Sequence, residues 1–301
     1  MRPLASDILV AIISGGRPDN RPTEKYELDG YWCIISNNSE GYETDIDIIN
    51  VPDDFREYYR ANWALSDFGM KVPMNRSYAI KYASEQGYRY LIQLDDNISG
   101  WDMCCLTKRG GVRQVYKRIN NITPFMNALA DVLRFTNAGM SGLNLAAMQP
   151  EKSTNLLSER YVYSVLCLDL DRVPYFYGDV EEDIAMRYQL AQQKIPVAQI
   201  IPFRYSKTGQ RSSKDTSGNR AMYDKMGSER GANMAKLYGA FYARGEANMT
   251  RNVTRGGGGR RIAEAIFKHK VKPFKVGLKT TNNKALRDAL ALAIAEVKLL
   301  P

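Results

Sequence analysis

Histidine is almost absent: His269 is the only one in 301 residues. That scarcity sets aside a Ser-His-Asp triad, a His-rich zinc site and an HExxH protease. Cysteine is sparse as well. Cys33, Cys104, Cys105 and Cys167 show no metal-ligand spacing. Adjacent cysteines rarely close a simple bridge, so the four read as reduced thiols of a cytosolic protein. Long apolar runs are missing too, none approaching the roughly 18 residues that span a bilayer. The amino terminus, Met-Arg-Pro-Leu-Ala-Ser-Asp, lacks the apolar core of a signal peptide. The expected setting is the cytoplasm, with no membrane partner.

What is present is ordinary in bulk and uneven in placement. Hydrophobic residues make up 44% and charged residues 25%, as in a soluble globular protein. The length suits one large α/β domain or a domain with an appendage. Residues 1–250 carry 30 Lys+Arg and 30 Asp+Glu, whereas residues 251–301 carry 12 Lys+Arg against Glu264, Asp288 and Glu296. The whole excess of +9 therefore sits in the last sixth of the chain. A cationic field of that kind attracts polyanions, nucleic acid above all, although a basic tail that only aids solubility has the same composition.

Along the chain, Ile8–Ile13 reads as a continuously apolar strand, the pattern of a sheet covered on both faces. It runs into Ser14-Gly15-Gly16-Arg17-Pro18, whose glycines allow a backbone to approach a ligand closely. Tyr31–Ser36 and Thr44–Val51 look like strands, and Pro73–Gln86 like a helix stopped by Gly87. Tyr88–Leu94 is a strand ending in Asp95-Asp96-Asn97. A polar loop over Thr107–Arg113, a helix over Ile122–Asn137 and strands over Gly139–Met148 and Tyr161–Asp169 follow. Next come a helix over Ile184–Gln193, a strand over Ile195–Ile201 and a polar loop over Pro202–Arg220. Gly256–Gly259 is a hinge, and Ala285–Leu300 an amphipathic helix with Leu286, Leu290, Ile294 and Val297 on one stripe, free to dock on its own chain or on another subunit. Alternating strands and helices predict an α/β fold with a mostly parallel sheet.

Two acidic clusters stand out, Asp95-Asp96 and Glu181-Glu182-Asp183, about ninety positions apart and both at element ends. Ligands of open α/β sheets collect outside the carboxyl ends of the strands. Mg²⁺ is usually held there by one or two carboxylates plus substrate phosphates. Acidic residues at the start of a helix also offset its dipole, a structural use that accounts for Glu181 and Glu182 equally well. Asp183 suits a general base toward an acceptor hydroxyl, with Glu182 as second candidate.

The strand followed by Ser-Gly-Gly-Arg-Pro, the helix with Asn75-Arg76, the strand ending Asp-Asp-Asn and the Gly-Asp-Val-Glu-Glu-Asp segment before a helix resemble the GT-A glycosyltransferases. Within that superfamily the chain is most similar to phage TET-associated glycosyltransferases, which add sugars to the 5-hydroxymethyl group of pyrimidines in DNA. The resemblance spans roughly residues 7–205. It implies a GT-A-like (Rossmann-like), mostly parallel mixed sheet flanked by helices, with a catalytic domain over 1–225. A basic, Gly-hinged helical extension would cover 226–301. The implied activity is metal-dependent transfer of a hexose or pentose from a nucleoside-diphosphate sugar, UDP-linked by expectation, onto hydroxymethylpyrimidine in DNA. Carried over, Ser14, Gly15, Gly16 and Arg17 line the nucleotide site, and Arg76 approaches the diphosphate. Asp95 and Asp96 hold Mn²⁺ or Mg²⁺ with Asn97 nearby, and Asp183, then Glu182, serves as base. The motif reads Asp-Asp-Asn rather than Asp-x-Asp. The late histidine that many of these enzymes give the metal has no counterpart before the basic tail, unless a residue of Pro202–Arg220 replaces it.

Two other readings compete. A sugar-nucleotide nucleotidyltransferase would use similar diphosphate chemistry but calls for a glycine-rich loop with a Lys after the first strand, and Ser-Gly-Gly-Arg-Pro lacks it. A non-catalytic, basic DNA-binding protein would leave both acidic clusters structural.

Overall fold

The computed structural model describes residues 1–64, 71–106, 112–116, 119–146, 156–178, 182–208, 242–244, 267–269 and 275–298. In chain order these form β1 (Ile8–Ser14), β2 (Trp32–Ser36), β3 (Asp47–Asn50), α1 (Asp53–Asn62), α2 (Lys71–Glu85), β4 (Tyr90–Asp95), β5 (Ile98–Leu106), β6 (Val112–Tyr116), α3 (Thr123–Arg134), β7 (Met140–Leu145), β8 (Leu157–Ser158) and β9 (Val165–Asp169). Then come α4 (Glu182–Gln192), β10 (Val197–Lys207), β11 (Tyr242–Arg244), β12 (Phe267–His269) and α5 (Asn283–Lys298). The chain divides into one unit of residues 1–212 with 275–301 and a second of residues 213–274. In the second, β11 and β12 pair antiparallel.

β1 shows why the sheet forms. All seven of its residues are buried, and a period of two sends alternate side chains to opposite faces. Ile8 and Val10 join a core with Phe125, Leu129 and Leu290 of α3 and α5. Leu9, Ala11 and Ile13 join another with Phe55, Ile80 and Met186 of α1, α2 and α4. Helices cover both faces, so the strand has no polar side to show.

The sheet order is β3-β2-β1-β4-β9-β7-β10-β5-β6, with β8 on β10. β3, β2, β1 and β4 are parallel. β9 runs antiparallel to β4 and β7, and β10 is parallel to β7. β5 and β6 continue antiparallel. This is a mixed α/β sheet flanked by helices. The chain steps outward from β1 to β3 and then returns to place β4 on the other side of β1. Such a reversal, outside the carboxyl ends of β1 and β4, is where ligands of open α/β sheets generally bind. Because β9 opposes both β4 and β7, the ends of β1, β4 and β10 and the start of β9 share one edge.

Several expectations change. The polar loop expected over Pro202–Arg220 is strand as far as Lys207, because Phe203 and Tyr205 are fully buried and pair with Met103 and Trp101 of β5; residues 209–220 lie outside the described residues. The loop expected over Thr107–Arg113 gives way to β6 at Val112, and 107–111, like the Gly256–Gly259 hinge, lie outside them. α1 escapes the pattern analysis because only Phe55 and Tyr59 of its ten residues are buried. The expected boundary at 225/226 differs from the observed units: α5 belongs with the first. Leu286, Leu290, Ala293 and Val297 join the core beside α3, so the apolar stripe docks within its own chain. The Glu159 carboxylate accepts backbone N–H groups of Val276, of Gly277 at 3.0 Å and of Leu278 at 3.1 Å, pinning the segment that leads to α5. Cys33 and Cys167 are buried free thiols. Among the described residues no helix is long and apolar enough to cross a membrane.

Candidate active site

The loop after β1 is shaped by close packing. A Cβ on Gly15 would come within 2.5 Å of Asn37 Oδ1, and Gly16 has φ of +67°, so both positions favour glycine. Asn75 Nδ2, on the second turn of α2, donates to the Ser14 carbonyl at 2.7 Å and to Asn37 Oδ1 at 3.1 Å. Ser14 Oγ donates to Asp96 Oδ2 at 2.8 Å and therefore accepts from the Tyr42 hydroxyl, also at 2.8 Å. The same Tyr42 oxygen accepts the Arg17 N–H at 3.2 Å, and the Arg21 guanidinium lies 4.0 Å over the Tyr42 ring.

Beside that loop, each carboxylate of the β4 motif meets a cation. Arg17 Nη1 is 2.7 Å from Asp96 Oδ1. Arg76 Nη2 is 2.5 Å from Asp95 Oδ1, and Lys207 Nζ is 2.6 Å from Asp95 Oδ2. Burial acts to raise the Asp95 carboxyl, but Lys207 and Arg76 outweigh it and hold the group at about 2. Asp96 is raised by burial despite Arg17 and Ser14. Arg76 is turned inward rather than open to a ligand. It is 1% exposed, and it also donates to Gln93 Oε1 at 3.0 Å and to Glu182 Oε1 at 3.2 Å. The residue that the resemblance places near a diphosphate is thus an internal bracket between the two acidic motifs.

The second motif is therefore beside the first. Glu182 and Asp183 open α4, where the helix dipole favours negative charge. Asp183 Oδ1 accepts the Ile184 N–H at 2.8 Å. Burial first, then the Glu182 charge, pushes its carboxyl up to about 8, against the pull of Arg76. Part of the residue stays open to solvent. Glu181 lies outside the described residues. The loop leading to α4 is held by Tyr59, whose hydroxyl donates to the carbonyls of Phe176 and Gly178 at 3.1 and 2.8 Å.

The structure thus gathers Ser14–Arg17, Arg76, Asp95, Asp96, Glu182 and Asp183 at one sheet edge. It adds Ser164, Tyr42 and Asn37, which the sequence analysis did not single out, and Lys207 from the segment expected as the Pro202–Arg220 loop, whose Arg and Lys suit a diphosphate or a DNA backbone. Lys207 had a signal, since apolar Phe203 and Tyr205 alternate with Arg204 and Ser206 up to it. Ser164 had none: its φ of +56° is a left-handed conformation that serine seldom adopts.

The donor set can be tested for a divalent ion. Among the described residues no group of three His, Cys, Asp or Glu side chains forms a cage. Asp95 and Asp96 nevertheless supply two hard carboxylates, the number Mg²⁺ commonly takes from protein when phosphates complete its shell. Three cations (Arg17, Arg76, Lys207) face the three carboxylates Asp95, Asp96 and Glu182, while Asp183 is held toward its neutral form. Among the described residues the cations are thus already matched by carboxylates, and Asp95 and Asp96 would suit a divalent ion whose remaining ligands come from phosphate oxygens.

No protein-family model matches the chain, and no curated protein matches it. Among solved structures, one neighbour is a protein from Desulfovibrio desulfuricans G20, provisionally named a nucleotide-diphospho-sugar transferase. It is 11% identical, with a TM-score of 0.33 over 78% of this chain and 99% of that chain. At that score the likeness bears no functional argument.

Proposed function

We propose that this chain is a glycosyltransferase that moves a sugar from a nucleoside-diphosphate donor to the hydroxymethyl oxygen of a modified pyrimidine in DNA. The observation that carries the reading is Arg76, which joins Asp95 and Glu182 and so sets the Asp95-Asp96 carboxylate pair beside a base candidate at the switch point of the sheet. Ser14–Arg17 receive the nucleotide, the glycines letting its phosphates approach the backbone. Asp183 accepts the acceptor hydroxyl's proton as that oxygen bonds to the anomeric carbon. The bond from that carbon to the β-phosphate oxygen breaks, and the nucleoside diphosphate departs with the electron pair. Asp95 and Asp96 would hold a divalent ion, which would supply charge neutralisation for the departing diphosphate. Support for a DNA acceptor comes from the sequence, where the entire charge excess lies in residues 251–301.

Thermal unfolding with UDP and Mn²⁺ tests the donor half. A ligand that binds only the folded state stabilises it by about 2.7 kcal/mol at a hundredfold excess over its Kd. The wild type is expected to show a shift of that order, and Asp96→Asn to lose most of it. An equal shift in both would place the nucleotide elsewhere.

A further inference from the structure

The cations facing the β4 motif are not alike. Arg76 is 1% exposed and locked between two carboxylates, whereas Lys207 is 26% and Arg17 21% exposed. Lys207 is aimed into the site by an irregularity: the register of β10 on β5 shifts between Ser206 and Lys207. Bulges next to active sites re-aim side chains in this way. Its ammonium bridges Asp95 Oδ2 at 2.6 Å and Ser164 Oγ at 2.9 Å. Ser164, in its left-handed conformation, also gives its carbonyl to the Asp95 N–H at 2.8 Å. A strained residue thus holds both the carboxylate and the cation that covers it.

Resting on the donor-site reading above, we infer that Lys207 and Arg17 are exchangeable cover cations. Without nucleotide they occupy Asp95 Oδ2 and Asp96 Oδ1. When a nucleoside diphosphate enters, their charges pass to its phosphate oxygens, and the freed carboxylate oxygens become available to a divalent ion. Nucleotide and metal then bind synergistically, because each makes room for the other. The coupling is reciprocal: whatever factor UDP adds to Mn²⁺ affinity, Mn²⁺ adds to UDP affinity. Lys207 is a binding residue in this scheme, with opposite effects on the two ligands. It attracts phosphate and repels metal.

The test uses the full chain, free Mn²⁺ measured by electron paramagnetic resonance and UDP binding by calorimetry. In the wild type, saturating UDP is expected to tighten Mn²⁺ binding by tenfold or more. Lys207→Met should bind Mn²⁺ alone about tenfold more tightly, UDP alone about tenfold more weakly, and show a coupling factor reduced by a similar amount, the order expected for one nearby charge. Lys207→Arg keeps the cation and should keep the coupling. Circular dichroism of both variants checks that they are folded. Lys207→Met affinities that move together or stay unchanged, while UDP still binds, would overturn the exchange and leave the donor site standing. UDP that binds no variant under any condition would remove the donor site itself.

Discussion

Asp183→Asn is expected to lose about 10²–10⁴-fold in turnover, the usual worth of a positioned general base, while gaining stability at pH 8. The two effects share one cause. Burial and the neighbouring Glu182 charge raise the Asp183 carboxyl from its ordinary 3.8 to about 8. Between those values the native protein holds a proton that the unfolded chain has released. Wild-type stability from this group is therefore fully present below pH 3.8 and is lost as pH rises through about 8. Asn carries no such proton. The stability of Asp183→Asn relative to wild type should be smallest near pH 4 and largest at and above pH 8, read from urea melts at each pH. Wild-type kcat/KM should rise through pH 8 as the base ionises. A variant that keeps wild-type turnover, or a gain in stability that is flat with pH, would remove Asp183 from the role.

Arg76→Ala should be the most destabilising single change in the site. It leaves the Asp95 and Glu182 carboxylates without the buried partner that compensates both. Breaking a buried pair by deleting one member typically costs about 3–5 kcal/mol. Arg76→Lys should recover only part of that loss. A single ammonium cannot reproduce the planar fork that reaches Asp95, Gln93 and Glu182 together. Urea unfolding monitored by circular dichroism gives the values. A loss under about 1 kcal/mol for Arg76→Ala, within the range of exposed pairs, would mean that the two acidic motifs are not joined through this residue.

Much of this architecture is legible in sequence because it rests on period and punctuation. β1 and β4 are near-continuous apolar runs, and α2 ends where Gly87 adopts φ of +80°. The acidic pair is recognisable because it ends such a strand. What is not legible depends on tertiary neighbours. β5 hides because its buried residues Ile98, Trp101 and Met103 do not keep a strict alternation. Arg76 looks like a ligand-facing cation until both its carboxylate partners are seen. Ser164 contributes through a backbone conformation that its residue type does not announce. The docking of α5 on α3 depends on a segment anchored by Glu159, more than a hundred positions earlier.

The most direct measurement is mass spectrometry of nucleosides released from hydroxymethylated DNA after incubation with the protein, Mn²⁺ and a panel of sugar nucleotides. The site described here predicts a hydroxymethylpyrimidine nucleoside heavier by one sugar residue with the wild type, formed at least about a hundredfold more slowly by Asp183→Asn and absent from unmodified DNA. Nucleosides of unchanged mass across the panel, from protein shown to bind UDP and Mn²⁺, would contradict the assignment of DNA as the acceptor. The same product from Asp183→Asn at the wild-type rate would contradict the assignment of the base.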